Sequence, residues 1–418
     1  MQKMITASII DSSWYKISES LRMGDHIATV NNFHDKELNH VSFNQDNSCF
    51  MYIWNNEFGV WDCKTLKLRF DKKFNKSLGT GNALFKTNFI LFGGGSGDSN
   101  PLIPPNNCML WDDNRNKFLG EIKVDEPVLD TKMVKKYFFT VSENKVVVHE
   151  SRHFRLVQEI PTLPNPKGLM SVSTLDTITT KNKNKESRNG TTKSGGGTAS
   201  GSESGDAETR VNNPNVMATI GTETGEIQVL HVEDGDLLSV KAHQGAVSCL
   251  SLSQDGSMVA TASVKGTLVR VFDTKEGTLL YEFRRGTSAS DINNIGFNCQ
   301  GDLLMATTSS GTVHIYRLNK KSQNKFYLKS LGFKGGMDYS EAKIYLKSEN
   351  QRYLAGFEGG SNNIIIVSYD GVVYRYKLDS TADSDIREIL GDKDSKPAPN
   401  YLKWSLAETI CLVQRIKQ

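Results

Sequence analysis

An all-β chain closed into a seven-bladed, WD40-type β-propeller is the fold class this sequence predicts, and three observations predict it. Residues 253–272 and 298–316 read as copies of one another, with Gly256 and Gly301, and Gly266 and Gly311, each 45 residues apart. A period of about 40 to 45 residues, built of short strands and Gly-containing turns, is that of a propeller blade. Two further segments end in a hydrophobic-Trp-Asp pattern, Val60-Trp61-Asp62 and Leu110-Trp111-Asp112. Helical spacing is confined to a short run between Ser384 and Leu390.

Taken in order, the first unit runs from Phe43 to Asp62 and the second from Ile90 to Asp113. Tyr137–Val141 with Lys145–His149 forms the third, and Val216–Gly221 with Gly225–Leu230 the fourth. The twin repeats are the fifth and sixth, and residues 363–369 with 371–376 make a seventh hairpin. The propeller is therefore expected over residues 38–378. Residues 1–37 either complete the last blade or hang free, and 379–418 supply its C-terminal part. Residues 180–212, rich in Lys, Asn, Gly, Ser and Thr, carry too few apolar side chains to offset the entropy of ordering. They read as a disordered insertion in the fourth blade.

Composition narrows function. The balance of 50 Lys and Arg against 47 Asp and Glu leaves no global field that would drive the chain onto nucleic acid. The Lys-rich stretch from 181 to 194 also lacks aromatics for base stacking. Six cysteines, Cys49, Cys63, Cys108, Cys249, Cys299 and Cys411, are scattered without the spacing of a zinc site or a disulfide scaffold. A reducing cytoplasm fits that usage. No apolar run approaches the roughly 20 residues that span a bilayer. Catalytic signatures are missing, so the chain is read as a non-enzyme with no cofactor and no metal.

One stretch stands out for chemistry: Phe283-Arg284-Arg285-Gly286, at the end of one repeat and before the next. Successive side chains on a strand point to opposite faces, so the two arginines would serve two neighbouring pockets. Each guanidinium offers a planar fork of donors that matches a phosphate. Ser263, Lys265, Gly266, Thr267 and Arg270 flank the pair on one side; Thr308, Ser309, Gly311, Thr312 and His314 flank it on the other. Hydroxyls, cations and close-approach glycines are the groups that hold a phosphorylated ring. The plain alternative is that Arg284 and Arg285 are edge-strand charges that discourage aggregation or pair with blade carboxylates.

In these residues the sequence resembles the PROPPINs, seven-bladed propellers that bind phosphoinositides through a Phe-Arg-Arg-Gly motif. Asn165-Pro166-Lys167-Gly168-Leu169, Lys241-Ala242-His243-Gln244, Phe92-Gly93-Gly94-Gly95 with Trp111-Asp112-Asp113, and residues 311–315 are similar to the same family, particularly its compact branch. The resemblance implies a first headgroup site made of His243, Ser263, Lys265, Gly266, Thr267, Arg270 and Arg284. It implies a second made of Arg285, Gly286, Ser309, Thr312 and His314. The lipids it implies are phosphatidylinositol 3-phosphate and phosphatidylinositol 3,5-bisphosphate. It further implies a monomer peripheral on autophagic, endosomal or vacuolar membranes, and an autophagy lipid-transfer protein as partner through a loop of the second blade. Here that loop spans Gly93 to Cys108, with Leu102 and Ile103 among three prolines. A variable surface loop is the other reading of it.

Residues 317–340 match the family's membrane-contact loop, with Lys325, Phe326, Tyr327, Leu328, Leu331 and Phe333 as contacts. Interleaved lysines and aromatics support that independently, since cations are drawn to anionic lipid and apolar rings enter the headgroup boundary. His243 and His314 are expected either to sit in a structural hydrogen-bond network or to touch phosphate. As imidazolium ligands they would tighten lipid binding as pH falls through about 6.5. The rival to the whole reading is a generic WD-repeat interaction scaffold without lipid binding.

Overall fold

The computed structural model describes residues 37–94, 100–173, 215–318, 338–346, 352–379 and 403–412, and over these the chain forms 29 strands in seven sheets. The predicted fold class is the observed one. Each sheet is one blade, built in chain order: blade one from β1 (His40–Phe43), β2 (Cys49–Trp54), β3 (Glu57–Asp62) and β4 (Lys67–Lys73), all antiparallel. Blade two follows as β5–β8 between Thr80 and Lys123, blade three as β9–β12 between Asp130 and Pro161, and blade four as β13–β16 between Met170 and Lys241.

Blade five comprises β17 (Val247–Leu252), β18 (Met258–Ser263), β19 (Leu268–Asp273) and β20 (Leu279–Arg284). Blade six comprises β21 (Ile292–Phe297), β22 (Leu303–Thr308), β23 (Thr312–Arg317) and β25 (Ala342–Tyr345). Between its last two strands lies β24 (Asp338–Tyr339), which leaves blade six to pair in parallel with β20 of blade five. Blade seven comprises β26 (Tyr353–Phe357), β27 (Ile364–Ser368), β28 (Val372–Leu378) and β29 (Trp404–Cys411).

Burial follows from stacking blades face to face. Middle strands are buried on both faces, as in Cys49–Trp54, so they read as continuous apolar runs; outer strands such as Lys67–Lys73 are largely exposed and polar. Seven apolar clusters result, each shared by two neighbouring blades, from Phe58 with Phe92 between blades one and two to Val367 with Trp61 between blades seven and one. The ladder between third and outer strand is bulged in five blades, at Val60/Trp61, Leu110/Trp111, Val148/His149, Val271/Phe272 and Arg375/Tyr376. A bulge adds twist, which swings each outer strand away from the axis. The signature tryptophans of blades one and two stand at two of these bulges.

The innermost strands surround a central cavity of about 230 Å³ lined by Ser42, Gln45, Asn82, Lys132, Ser171 and Asn294 among others. Gln45 ties three blades there, donating to Asn82 Oδ1 at 3.0 Å and to the carbonyl of Met133 at 2.7 Å. Among the described residues, the ring closes without exchanging a strand. Leu38 N donates to Tyr369 O at 2.7 Å, and Gly359 N to Asn47 O at 3.1 Å. Arg375 of blade seven reaches across to the carbonyls of Cys63 and Lys64 in blade one and pairs with buried Glu358 at 2.8 Å.

Residues 1–36, the 180–212 insertion, the helical run at 384–390 and the contact residues Lys325 to Phe333 lie outside the described residues. On blade two, Ile103 turns inward against Phe92 and Trp111 and is buried, which removes it from the docking surface expected around Leu102 and Ile103. Gly94 packs so closely on Pro104 that a Cβ would lie 1.9 Å from its carbonyl oxygen, a close approach that only glycine permits. All six cysteines are free, and Cys49, Cys63, Cys108 and Cys249 are buried.

Removing one partner of a buried ion pair strands the other without compensation. Arg375→Ala is therefore expected to cost about 3 to 5 kcal/mol in urea unfolding. A loss below about 1 kcal/mol would show that ring closure does not depend on this contact.

Candidate functional site

The candidate site is built outward from Phe283. It is 2% exposed and stacks on Tyr281 at 5.9 Å and on Tyr316 of blade six at 4.9 Å between ring centroids. Strand alternation therefore places Tyr281 and Phe283 in the seam between blades five and six, and Glu282 and Arg284 on the other face of β20. Arg284 stands opposite Leu268 on one side and Tyr339 on the other. Arg285, one residue past the strand, lies near Tyr316 of blade six.

The register brings both predicted groups to one end of their blades. Gly266 and Gly311 each take positive φ, 59° and 72°, in the turns that join second and third strands. A Cβ on Gly266 would lie 1.9 Å from the Ser290 carbonyl, so the turn presses directly on the link to blade six. Beyond these glycines the equivalence shifts by one residue. Thr261 faces Arg270 in blade five and Ala306 faces His314 in blade six, so Arg270 occupies the place that His314 holds in the next blade.

On the first side lie His243, Ser263, Lys265, Gly266, Thr267, Arg270 and Arg284. Arg270 is held by Glu282, whose Oε2 accepts from Nε at 2.9 Å, and donates from Nη1 to the Ala242 carbonyl at 2.7 Å. His243 is buried, its Nε2 3.0 Å from Thr261 Oγ1. Lys265 is exposed, and among the described residues neither it nor Arg284 has an ion-pair or side-chain hydrogen-bond partner. On the second side Arg285 donates from Nε to the Gly266 carbonyl at 2.8 Å and from Nη2 to the Ser288 carbonyl. Burial pushes its guanidinium down from the ordinary value. Ser309 Oγ is 3.3 Å from Ser290 Oγ, Thr312 N donates to Thr308 Oγ1 at 3.2 Å, and His314 Nδ1 is 3.3 Å from Ser340 Oγ. Gly286 is half-buried, with open space where a Cβ would go.

Several residues here escape a sequence reading. Glu282 and Thr261 anchor Arg270 and His243, and Ser290, Ser340 and Lys343 surround the second group. Alternation on β20 could have exposed Glu282, since it shares a face with Arg284. Ser340 and Lys343 follow the long loop, where the repeat gives no register.

In the unliganded chain neither histidine is poised to titrate near neutrality. Burial, then the positive charge of Arg270, pushes His243 down to about 4. Burial, then Lys343 and Arg285, pushes His314 down to about 4 as well. Both rings are thus neutral in the folded chain, and between about 6.5 and about 4 the unfolded chain binds more protons. The stability they contribute is complete above about 6.5 and is lost as pH falls toward 4. Ring-proton NMR of the unliganded chain is expected to give midpoints near 4 for both residues. A midpoint near 6.5 for either ring would contradict this.

Comparison with known proteins follows the same residues. The PROPPIN family model matches residues 208–351, which hold blades five and six whole. Autophagy-related protein 18e of Arabidopsis thaliana is 28% identical over 371 residues, 85% of this chain and 87% of that protein. SVP1-like protein 2 of Neurospora crassa is 29% identical over 67% of this chain, which spans only 56% of that relative's length. Among solved structures, Kluyveromyces lactis Hsv2 superposes with a TM-score of 0.65 at 19% identity, covering 90% of this chain and 100% of that one. KlAtg21, solved in complex with the coiled-coil of AgAtg16, gives a TM-score of 0.64 at 20% identity and covers 90% of this chain and 99% of that one. With the Phe-Arg-Arg-Gly strand set in the seam between its fifth and sixth blades, the chain is similar to the PROPPIN family over the third of its length that the family model matches.

Proposed function

We propose that the chain is a phosphoinositide effector that docks on membranes carrying phosphatidylinositol 3-phosphate or phosphatidylinositol 3,5-bisphosphate. The observation that carries this reading is the pair Arg284 and Arg285, set on either side of a strand fixed by buried Phe283. Arg284 and Lys265 have no acidic partner among the described residues, so their charge is available to a phosphate. Ser263, Thr267, His243 and the remaining donors of Arg270 complete the first headgroup site. In the second, Arg285 keeps guanidinium hydrogens beyond those given to Gly266 and Ser288, beside Ser309, Thr312 and His314. As neutral imidazoles, His243 and His314 would donate a single N–H rather than a charge.

Two headgroups bound to one rigid edge act together, because the second engages at high effective concentration once the first is held. Lys325, Phe326, Tyr327, Leu328, Leu331 and Phe333 would add an apolar anchor from the 317–340 loop. Recruitment of autophagy machinery, on autophagic, endosomal or vacuolar membranes, is the biological role this reading assigns. The name of the Arabidopsis relative, autophagy-related protein 18e, places that protein in autophagy, and a coiled-coil partner is seen with KlAtg21.

Vesicle flotation tests it. Arg284→Thr with Arg285→Thr is expected to abolish binding to vesicles containing phosphatidylinositol 3-phosphate while circular dichroism and melting stay those of a folded propeller. Retained flotation of the folded double variant would leave a WD-repeat scaffold without lipid binding as the better reading.

A further inference from the structure

We propose that Val264 and Tyr345 form a second, shallow contact with the bilayer, separate from the 317–340 loop and resting on the headgroup reading above. Both are large apolar side chains left in water, 54% and 73% exposed. Val264 tops the turn between β18 and β19, whose ends face Arg284 through the pairing of Leu268 with Arg284. Tyr345 ends the outer strand of blade six directly opposite Thr312, beside the turn that carries Ser309. Both residues therefore project at the same end of their blades as the two groups that would hold headgroups.

Each is coupled to a cation. Lys265 follows Val264 in the turn, and Lys343 shares the outward face of β25 with Tyr345, the residue between them, Ile344, being buried. Both lysines are exposed and, among the described residues, lack an acidic partner. An apolar side chain beside an unpaired cation suits the boundary of an anionic bilayer, where the chain enters the acyl edge and the cation meets phosphate. A tyrosine is suited to that depth, with an apolar ring and a polar tip. A protein partner matching this edge would need acidic groups at both blades, and the test separates that case.

The test uses the full chain and vesicles of phosphatidylcholine and phosphatidylserine with phosphatidylinositol 3-phosphate. Val264→Ser with Tyr345→Ser should weaken vesicle binding by about tenfold, since part of two apolar side chains no longer leaves water. Titration with soluble inositol 1,3-bisphosphate should be unchanged in that variant, and its melting temperature should match that of the parent. In a Cys299→Ser, Cys411→Ser background, an environment-sensitive dye at Val264→Cys or Tyr345→Cys should shift to the blue on vesicles. The same dye at Leu156→Cys, exposed on the outer strand of blade three, should not. Unchanged vesicle affinity, or dyes that stay water-like at both positions while Arg284→Thr with Arg285→Thr still abolishes flotation, would overturn the contact and leave the headgroup sites standing. If the parent chain neither floats nor takes up inositol 1,3-bisphosphate, both readings fall together.

Discussion

The burial of Phe283 is the constraint on which the candidate site depends. With its ring held between Tyr281 and Tyr316, β20 cannot slip by one residue without moving its apolar face out of the seam between blades five and six. That register fixes where the next two side chains go. Arg284 must leave on the face of Glu282, and Arg285, beyond the ladder, donates to the Gly266 carbonyl in blade five's own turn while lying near Tyr316 of blade six. Two cations adjacent in sequence thus have different neighbours. The seam itself exists because the middle strands of every blade are apolar on both faces and can be buried only by stacking on a neighbour.

The two sides of the strand are related but not copies. The turns at Gly266 and Gly311 are equivalent, yet one extra residue in blade five puts Arg270 where blade six has His314. The first side therefore carries an additional guanidinium, and Glu282 balances it. The second side has a neutral ring, kept so by burial and by Lys343 and Arg285. Charge in the first group rests with Arg284 and Lys265, and in the second with Arg285. This asymmetry gives the two groups of residues different electrostatics from nearly the same sequence template.

Much of this was legible in the sequence for physical reasons. The middle strands of all seven blades were readable because burial on both faces gives continuous apolar runs, and the glycines at 266 and 311 because a turn with positive φ selects them. The outer strands were not. The strand Trp404–Cys411 is exposed along most of its length and carries no apolar alternation, so its role in blade seven rests on the ladder to Val372–Leu378. The same holds for Ala342–Tyr345, which hid Lys343 and Tyr345. Spacing brought Arg270 and the histidines to blades five and six, but it could not show that Glu282 holds one or that burial discharges the others. Ile103 misled because an apolar residue among prolines reads alike whether it faces solvent or core.

The central claim is that one strand separates two headgroup sites, each depending on its own arginine. Titration calorimetry with inositol 1,3-bisphosphate tests it most directly by counting sites in the parent and in two single variants. The account predicts two equivalents per parent chain and one equivalent each for Arg284→Thr and Arg285→Thr. One equivalent in the parent, or loss of both equivalents in either folded single variant, would contradict it.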